Sequence, residues 1–110
     1  MTFSLVGRCA RTGMFGAAVT TSSIGVGCRV PHARAGVGAV CTQHRTDPRL
    51  GPRGLDLLEA GKSASDVVAE LTAGDPTIGW RQLAVVDGKG RTAWFHGDRI
   101  KSIHAEAEGK

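Results

Sequence analysis

Pro52-Arg-Gly-Leu-Asp-Leu-Leu-Glu-Ala-Gly-Lys-Ser63-Ala-Ser-Asp66-Val-Val-Ala-Glu-Leu71-Thr-Ala-Gly74-Asp-Pro76 is the stretch in which the apolar pattern changes from a strand period to a helical one. Pro52 fits the first turn of a helix, where its missing N–H costs nothing, and Leu55 and Leu58 then mark an apolar face that Gly61 closes. Ser63 with Asp66 three residues later has capping-box spacing, Val67, Val68 and Leu71 give a second stripe, and Gly74 followed by Pro76 stops it. Two short helices in series are predicted.

On either side of this pair the chain reads as strand. Thr2 to Arg8 alternates Thr2, Ser4 and Val6 against Phe3 and Leu5, a turn follows from Cys9 to Gly13, and Met14 to Thr21 resumes an apolar run. That pattern predicts a β-hairpin. Ile24 to Val30 and Gly36 to Thr42 read as a third and a fourth strand, both rich in small residues, with Pro31 expected to break the ladder between them. After the helices, Gln82 to Val86 and Arg91 to Phe95 flank Asp87-Gly-Lys-Gly90, a strong hairpin signal. The order of four strands, two helices and two strands predicts an α+β layered domain. Two helices cover part of one face of a six-stranded sheet, so a second layer from elsewhere is expected on the other face.

The composition bounds the class. At 110 residues, 41% hydrophobic and 22% charged, the chain is one globular domain at most, and long-range disorder is excluded. Sixteen glycines exceed the usual share of roughly 7% and point to strands and helices in close approach. The net charge of +4 is spread along the sequence, with no aromatic residues interleaved among the arginines, so nucleic acid is not the expected partner. No apolar run reaches the roughly twenty residues that cross a bilayer and no secretory signal is visible, so a cytoplasmic, non-membrane protein is expected. Cys9, Cys28 and Cys41 are odd in number and far apart, which fits reduced thiols rather than a disulfide framework or a zinc knuckle. The end from His104 to Lys110 has no apolar closing element and reads as an exposed tail or a cut in a longer chain.

The residue with the most distinctive chemistry is Thr2. Removal of Met1, which a small second residue permits, would place a hydroxyl and a free α-amine on one residue, and an amine of reference pKa about 7.7 to 8.0 can act as general base for its own hydroxyl. An uncleaved Met1 would block that amine. Thr42, Gln43 and Arg53, at a strand end, a loop and a helix start, could hold a substrate carboxylate or carbonyl. His44, His96 and His104 show no metal-ligand spacing, so neither a metal nor another cofactor is expected. Gly25-Val-Gly27 and Gly36-Val-Gly38 do not lead from strand to helix, which argues against a dinucleotide site. Trp80 and Trp94 read as core or interface residues.

Several blocks carry a family resemblance: Thr2-Phe-Ser-Leu-Val-Gly-Arg8, Gly16-Ala-Ala-Val-Thr20, Pro31-His-Ala-Arg-Ala-Gly-Val-Gly-Ala-Val40 with Thr42-Gln43, Gly51-Pro-Arg-Gly-Leu-Asp-Leu-Leu58, and Arg81-Gln-Leu with Val85-Val-Asp87. Together they resemble the bacterial domain-of-unknown-function family numbered 1028, placed in the N-terminal-nucleophile hydrolase superfamily. The resemblance implies a four-layer α-β-β-α sandwich with mostly antiparallel sheets, of which residues 1–110 would form the N-terminal half, and hydrolysis of a small amide or related C–N bond. It places Thr2 at the nucleophile position, His32 and Arg34 near the basic residue that lowers the nucleophile's pKa, and Ser22 and Ser23 as hydrogen-bond partners. Where proteasome-like members keep an acidic residue, Thr20 to Ser23 has no carboxylate. The resemblance also implies further strands and helices beyond Lys110. Under a self-processing scheme the chain would instead be a non-catalytic α-chain or assembly module. Its partner, a second chain from the same precursor in a homo- or hetero-oligomer, would then carry the nucleophile.

Overall fold

A computed structural model describes residues 1–109. It contains six strands, two α-helices and two single 3-10 turns in the order β1 (Thr2–Arg8), β2 (Phe15–Thr21), a turn at Val26–Cys28, β3 (Pro31–Arg34), β4 (Gly38–Gln43), α1 (Leu50–Glu59), α2 (Ala64–Ala73), a turn at Ile78–Trp80, β5 (Gln82–Val86) and β6 (Thr92–His96). The predicted α+β class and the order of strands and helices agree with this. The strand pairs divide into two antiparallel sheets, a hairpin of β1 and β2 and a four-stranded sheet in the order β3-β4-β5-β6.

Three layers result. Helices α1 and α2 lie on one face of the four-stranded sheet and the hairpin lies on the other. The expected six-stranded sheet is therefore two sheets face to face, and the bare face belongs to the hairpin. Phe3 and Leu5, on the outer side of β1, are 69% and 61% exposed. A shallow concavity bordered by Leu5, Gly7, Phe15, Gly16 and Ala18 lies on that hairpin.

Each helix forms where its caps and stripe predict. Leu50, Leu55 and Leu58 from α1 and Ala64, Val67 and Leu71 from α2 pack with Val40, Leu83 and Val85 in one cluster. Full burial of each large aliphatic side chain contributes about 1.5 to 3 kcal/mol. The close approach of α1 to the sheet depends on glycine: a Cβ on Gly54 would press on Val40, and one on Gly51 would overlap the His32 ring. At the start of α2, Ser63 Oγ accepts from the Asp66 N–H at 3.2 Å, and the Asp66 carboxylate accepts from the Ser63 N–H, completing the capping box.

Two expectations fail, each for a local reason. The segment from Ile24 to Val30 is not a strand: Gly25 takes φ +68°, and Cys28, Arg29 and Val30 turn back onto Gly25 and Val26 through backbone hydrogen bonds. Pro31 opens a strand instead of breaking one, because β3 is an edge strand and its first residue can lack a ladder N–H.

Asp87 fastens the helical layer to the sheet. This carboxylate is only 2% exposed and follows β5. It accepts from the N–H of Ala64 in the first turn of α2 at 3.1 Å, from the N–H groups of Lys89 and Arg91 at 2.9 and 3.0 Å, and from Arg91 Nε at 2.7 Å. Burial works against its charge, but the donors of Ala64, Arg91 and Lys89 outweigh burial and hold its pKa below the usual carboxylate value.

The Asp87→Asn variant, which turns an acceptor into a donor among these N–H groups, should lose about 2 to 3 kcal/mol of stability, seen as a lower urea midpoint at pH 7. Because the folded-state pKa is depressed, the stabilisation is present above the unfolded value of about 3.9 and is lost as pH falls through the folded one. Wild-type stability should therefore fall as the pH is taken below about 4, while the variant shows a shallower acid loss. A variant as stable as wild type at pH 7 would show that Asp87 does not fasten these layers.

Candidate functional site

Thr2 begins β1, and strand alternation turns it inward with Ser4 and Val6, against the four-stranded sheet. Its cross-strand partner is Thr21 at the end of β2. The two hydroxyls are 3.0 Å apart, and Thr21 Oγ1 also donates to the Met1 carbonyl at 3.2 Å. With the Thr21 proton used there, Thr2 is the donor to Thr21, and its lone pairs are left free. The Ser23 N–H reaches Thr21 Oγ1 at 3.5 Å, and Arg29 donates to Ser23 Oγ at 2.5 Å and to the Ile24 carbonyl at 2.7 Å. A chain of polar contacts thus links Thr2 through Thr21 and Ser23 to the Arg29 guanidinium. Among the described residues, no carboxylate, imidazole or amine hydrogen-bonds to Thr2.

The alignment of the two sheets fixes what Thr2 faces. Arg8, at the far end of β1, lies by Gly90 in the β5–β6 turn, and Cys41 Sγ donates to the Leu5 carbonyl at 3.7 Å. Following β1 back from these contacts brings Thr2 to the Gln43 end of β4. On the hairpin-facing side at that end, three side chains from neighbouring strands form a ladder. Gln43 Nε2 donates to Gln82 Oε1 at 3.0 Å, and Gln82 Nε2 lies 2.5 Å from His96 Nδ1. Gln43 Oε1 is buried with no partner among the described residues.

Past Gln43 the chain turns through His44 and Arg45 at φ +57° and +40°, a left-handed pair without glycine. Arg81 holds this turn: it donates to the Arg45 carbonyl and pairs with Asp75 at 2.5 Å, while the Arg45 guanidinium lies 4.2 Å over the Trp80 ring.

The candidates named from sequence are only partly brought together. Thr2, Ser23 and Gln43 belong to this end of the molecule, and Ser22 is an exposed residue of the loop after β2. His32 and Arg34 do not join them. Both project from β3 toward the helices, His32 against Gly51 and Arg34 in ion pairs with Asp56 and Glu59 of α1, each at 3.0 Å. The four-stranded sheet thus lies between them and Thr2. Thr42 also faces the helical layer, fully buried and with no partner for its hydroxyl among the described residues. Arg53 is on α1 beside Gly74 at the end of α2. The sequence reading missed Arg29, hidden by the strand assigned to its segment, and the partners Gln82 and His96, which lie 39 and 53 positions beyond Gln43.

The described residues hold no group of three or more His, Cys, Asp or Glu able to bind a metal ion, and no helix long and apolar enough to cross a membrane.

Fold and site together define a small α+β domain with two helices, paired antiparallel sheets and a threonine at the head of the first strand. The chain belongs to the family of unknown function DUF1028, which it matches over residues 2–110. It is similar to the crystal structure of protein SPO2555 from Silicibacter pomeroyi, a DUF1028 protein, with 31% identity and a TM-score of 0.88. That similarity covers 93% of this chain and 48% of the other, so the chain spans about half the length of its relative. None of the curated proteins matches it.

The three thiols differ sharply. Cys9 and Cys28 are exposed, and the Cys9 pKa is lowered by a side-chain hydrogen bond with Thr12, assisted by backbone N–H groups. Burial between the sheets pushes Cys41 up to about 11. Iodoacetamide at pH 8 should therefore alkylate two cysteines in the native protein, Cys9 ahead of Cys28, and Cys41 only after denaturant is added. Rapid native labelling of Cys41, read by peptide mass spectrometry, would contradict the packing of the hairpin on the sheet.

Proposed function

We propose that this chain forms part of an N-terminal-nucleophile hydrolase of four-layer α-β-β-α architecture, acting on a small amide or related C–N bond. The observation that carries the reading is the setting of the Thr2 hydroxyl: at the head of β1, turned toward the facing sheet, with its proton directed to Thr21 and its lone pairs free. The three layers described and the bare apolar face of the hairpin support it, since a fourth layer on Phe3 and Leu5 would complete the sandwich.

In this reading Met1 is removed. The carbonyl that takes the Thr21 proton then disappears, and Thr21 becomes free to donate to Thr2 while the new α-amine takes up the Thr2 proton. The Thr2 oxygen attacks the substrate carbonyl, backbone N–H groups receive the developing oxyanion, and the protonated amine delivers its proton to the leaving nitrogen. The C–N bond breaks and leaves an ester on Thr2. Water, deprotonated by the same amine, then hydrolyses that ester and restores the threonine. Arg29, linked through Ser23 and Thr21, supplies the positive charge that favours an unprotonated amine. His32 and Arg34 take no part.

A second reading is favoured by the lack, among the described residues, of any titratable group in hydrogen-bonding contact with Thr2: the chain is a non-catalytic module completing the sandwich of a second chain that carries the nucleophile. A cytoplasmic setting and a homo- or hetero-oligomeric assembly belong to both readings.

Intact mass and covalent trapping separate the two. Protein purified from its native source should lack Met1, and a β-lactone probe should leave one acyl adduct, mapped to Thr2 and absent from the Thr2→Ala variant. Full retention of Met1 would sink the Thr2 nucleophile. An adduct on the first residue of a co-purifying chain would establish the second reading.

A further inference from the structure

The ladder across β4, β5 and β6 has a direction. Gln43 gives an N–H to the Gln82 oxygen, so Gln82 turns its own NH2 toward His96 Nδ1, which must then present a lone pair. The imidazole proton accordingly sits on Nε2, which lies 2.9 Å from Glu106 Oε2, close enough to pair though poorly aligned for a hydrogen bond. Each amide is thereby oriented by the next. The last consequence falls on Gln43, 8% exposed, whose unpartnered Oε1 remains at the Thr2 end of the space between the sheets.

We propose that protonation of His96 reverses the polarity that Gln43 offers at this end, by flipping two amides in sequence. When Nδ1 gains a proton it becomes a donor and opposes the Gln82 NH2 at 2.5 Å. Rotation of the Gln82 amide by half a turn puts its oxygen on Nδ1–H and its NH2 toward Gln43. Gln43 then turns its oxygen to Gln82 and its NH2 outward. Such flips occur about a broad terminal torsion with two nearly equivalent positions, whereas two donors facing each other in a buried site forfeit a hydrogen bond and leave both groups desolvated. With His96 neutral the end presents an acceptor, suited to an N–H or O–H group. With His96 protonated it presents a donor, suited to a carbonyl or carboxylate oxygen.

The groups facing His96 on this side are few. Among the described residues Glu106 is the one carboxylate in contact, and the His104 ring lies 4.7 Å away centre to centre. The Trp94 ring lies tilted at 49° with its centre 5.2 Å away, and the inward side chains of β1, namely Thr2, Ser4 and Val6, do not titrate. The helices contact β6 on its opposite side through Ala93 and Phe95. His104 is therefore the second group whose titration must be separated from that of His96. Any effect on hydrolysis rests on the reading of Thr2 given above, but the relay itself does not.

The test is an NMR titration of the uniformly 15N-labelled full chain from pH 8 to pH 5. It follows the side-chain NH2 signals of Gln43 and Gln82 and the imidazole nitrogens of His96 and His104. At high pH His96 should be in the Nε2–H form, and both glutamine NH2 pairs should shift with the His96 midpoint. In Gln82→Met the His96 nitrogens should still titrate while the Gln43 shift is lost. A Gln43 signal that stays fixed in the wild type, follows the His104 midpoint, or still moves in Gln82→Met overturns the proposal. Should Gln82→Met not fold, the wild-type midpoints decide, and His104→Asn, which leaves the ladder intact, should preserve the coupled shift. These readouts are independent of activity, so loss of the Thr2 reading and loss of the relay would be told apart.

Discussion

Asp87 must be charged and must stay buried, and the arrangement of the layers follows from how both conditions are met. Four donors converge on it, one from the first turn of α2, two from the turn that closes the β5–β6 hairpin and one from the Arg91 guanidinium. Without them the carboxylate would be neutralised or driven to the surface. With them, α2 is tied at its N-terminus to the end of the sheet, and the aliphatic stripe of Val67 and Leu71 is set over Leu83 and Val85. The helical side of the sheet is thereby closed, and β4 and β5 turn their remaining side chains toward the hairpin.

That other side is built on different chemistry. Where the helical side is packed with leucine and valine, the space between the sheets takes Ala39, Cys41, Ala84 and Val86 from one wall and Ser4, Val6, Ala17 and Val19 from the other. Small side chains let two backbones approach closely. The glutamines and the imidazole then gather at one end of the layer, where burial of polar groups is possible only as a connected ladder. Thr2 and Thr21 come to this same end because of how the hairpin lies across the sheet.

Much of the fold was legible because its signals are local. Ser63 and Asp66, three residues apart, announce a helix start, and Asp87-Gly-Lys-Gly90 announces a hairpin whatever surrounds it. Side-chain direction in β3 was not legible. Which face a strand residue meets depends on where pairing begins, and a shift of one position exchanges the faces. Pro31 opens β3, and that start sends His32 and Arg34 toward α1. Gln43 could be named as a polar residue in the loop after a strand, whereas it is the last residue of β4, and nothing near it indicates Gln82 or His96, since only the ladder register sets the three side by side. The strand pattern alone also failed to give the division into two sheets, which only the family resemblance implied, because it depends on the turn around Gly25 that carries the chain from one layer to the other.

The hairpin has one further property, which follows from its having just two strands. Each is seven residues long and pairs on one side, so each leaves a row of backbone N–H and C=O groups without a strand partner among the described residues. The four-stranded sheet ends differently at β3, which has four residues and starts with proline. Proline and shortness blunt an edge, whereas an extended edge without proline is a template for strand addition. β6, at the other edge of the four-stranded sheet, is five residues long and lacks proline, but the longest open edges are those of β1 and β2, in the same layer that holds Thr2. Any strand added beside β1 would become a wall of the space into which that threonine points.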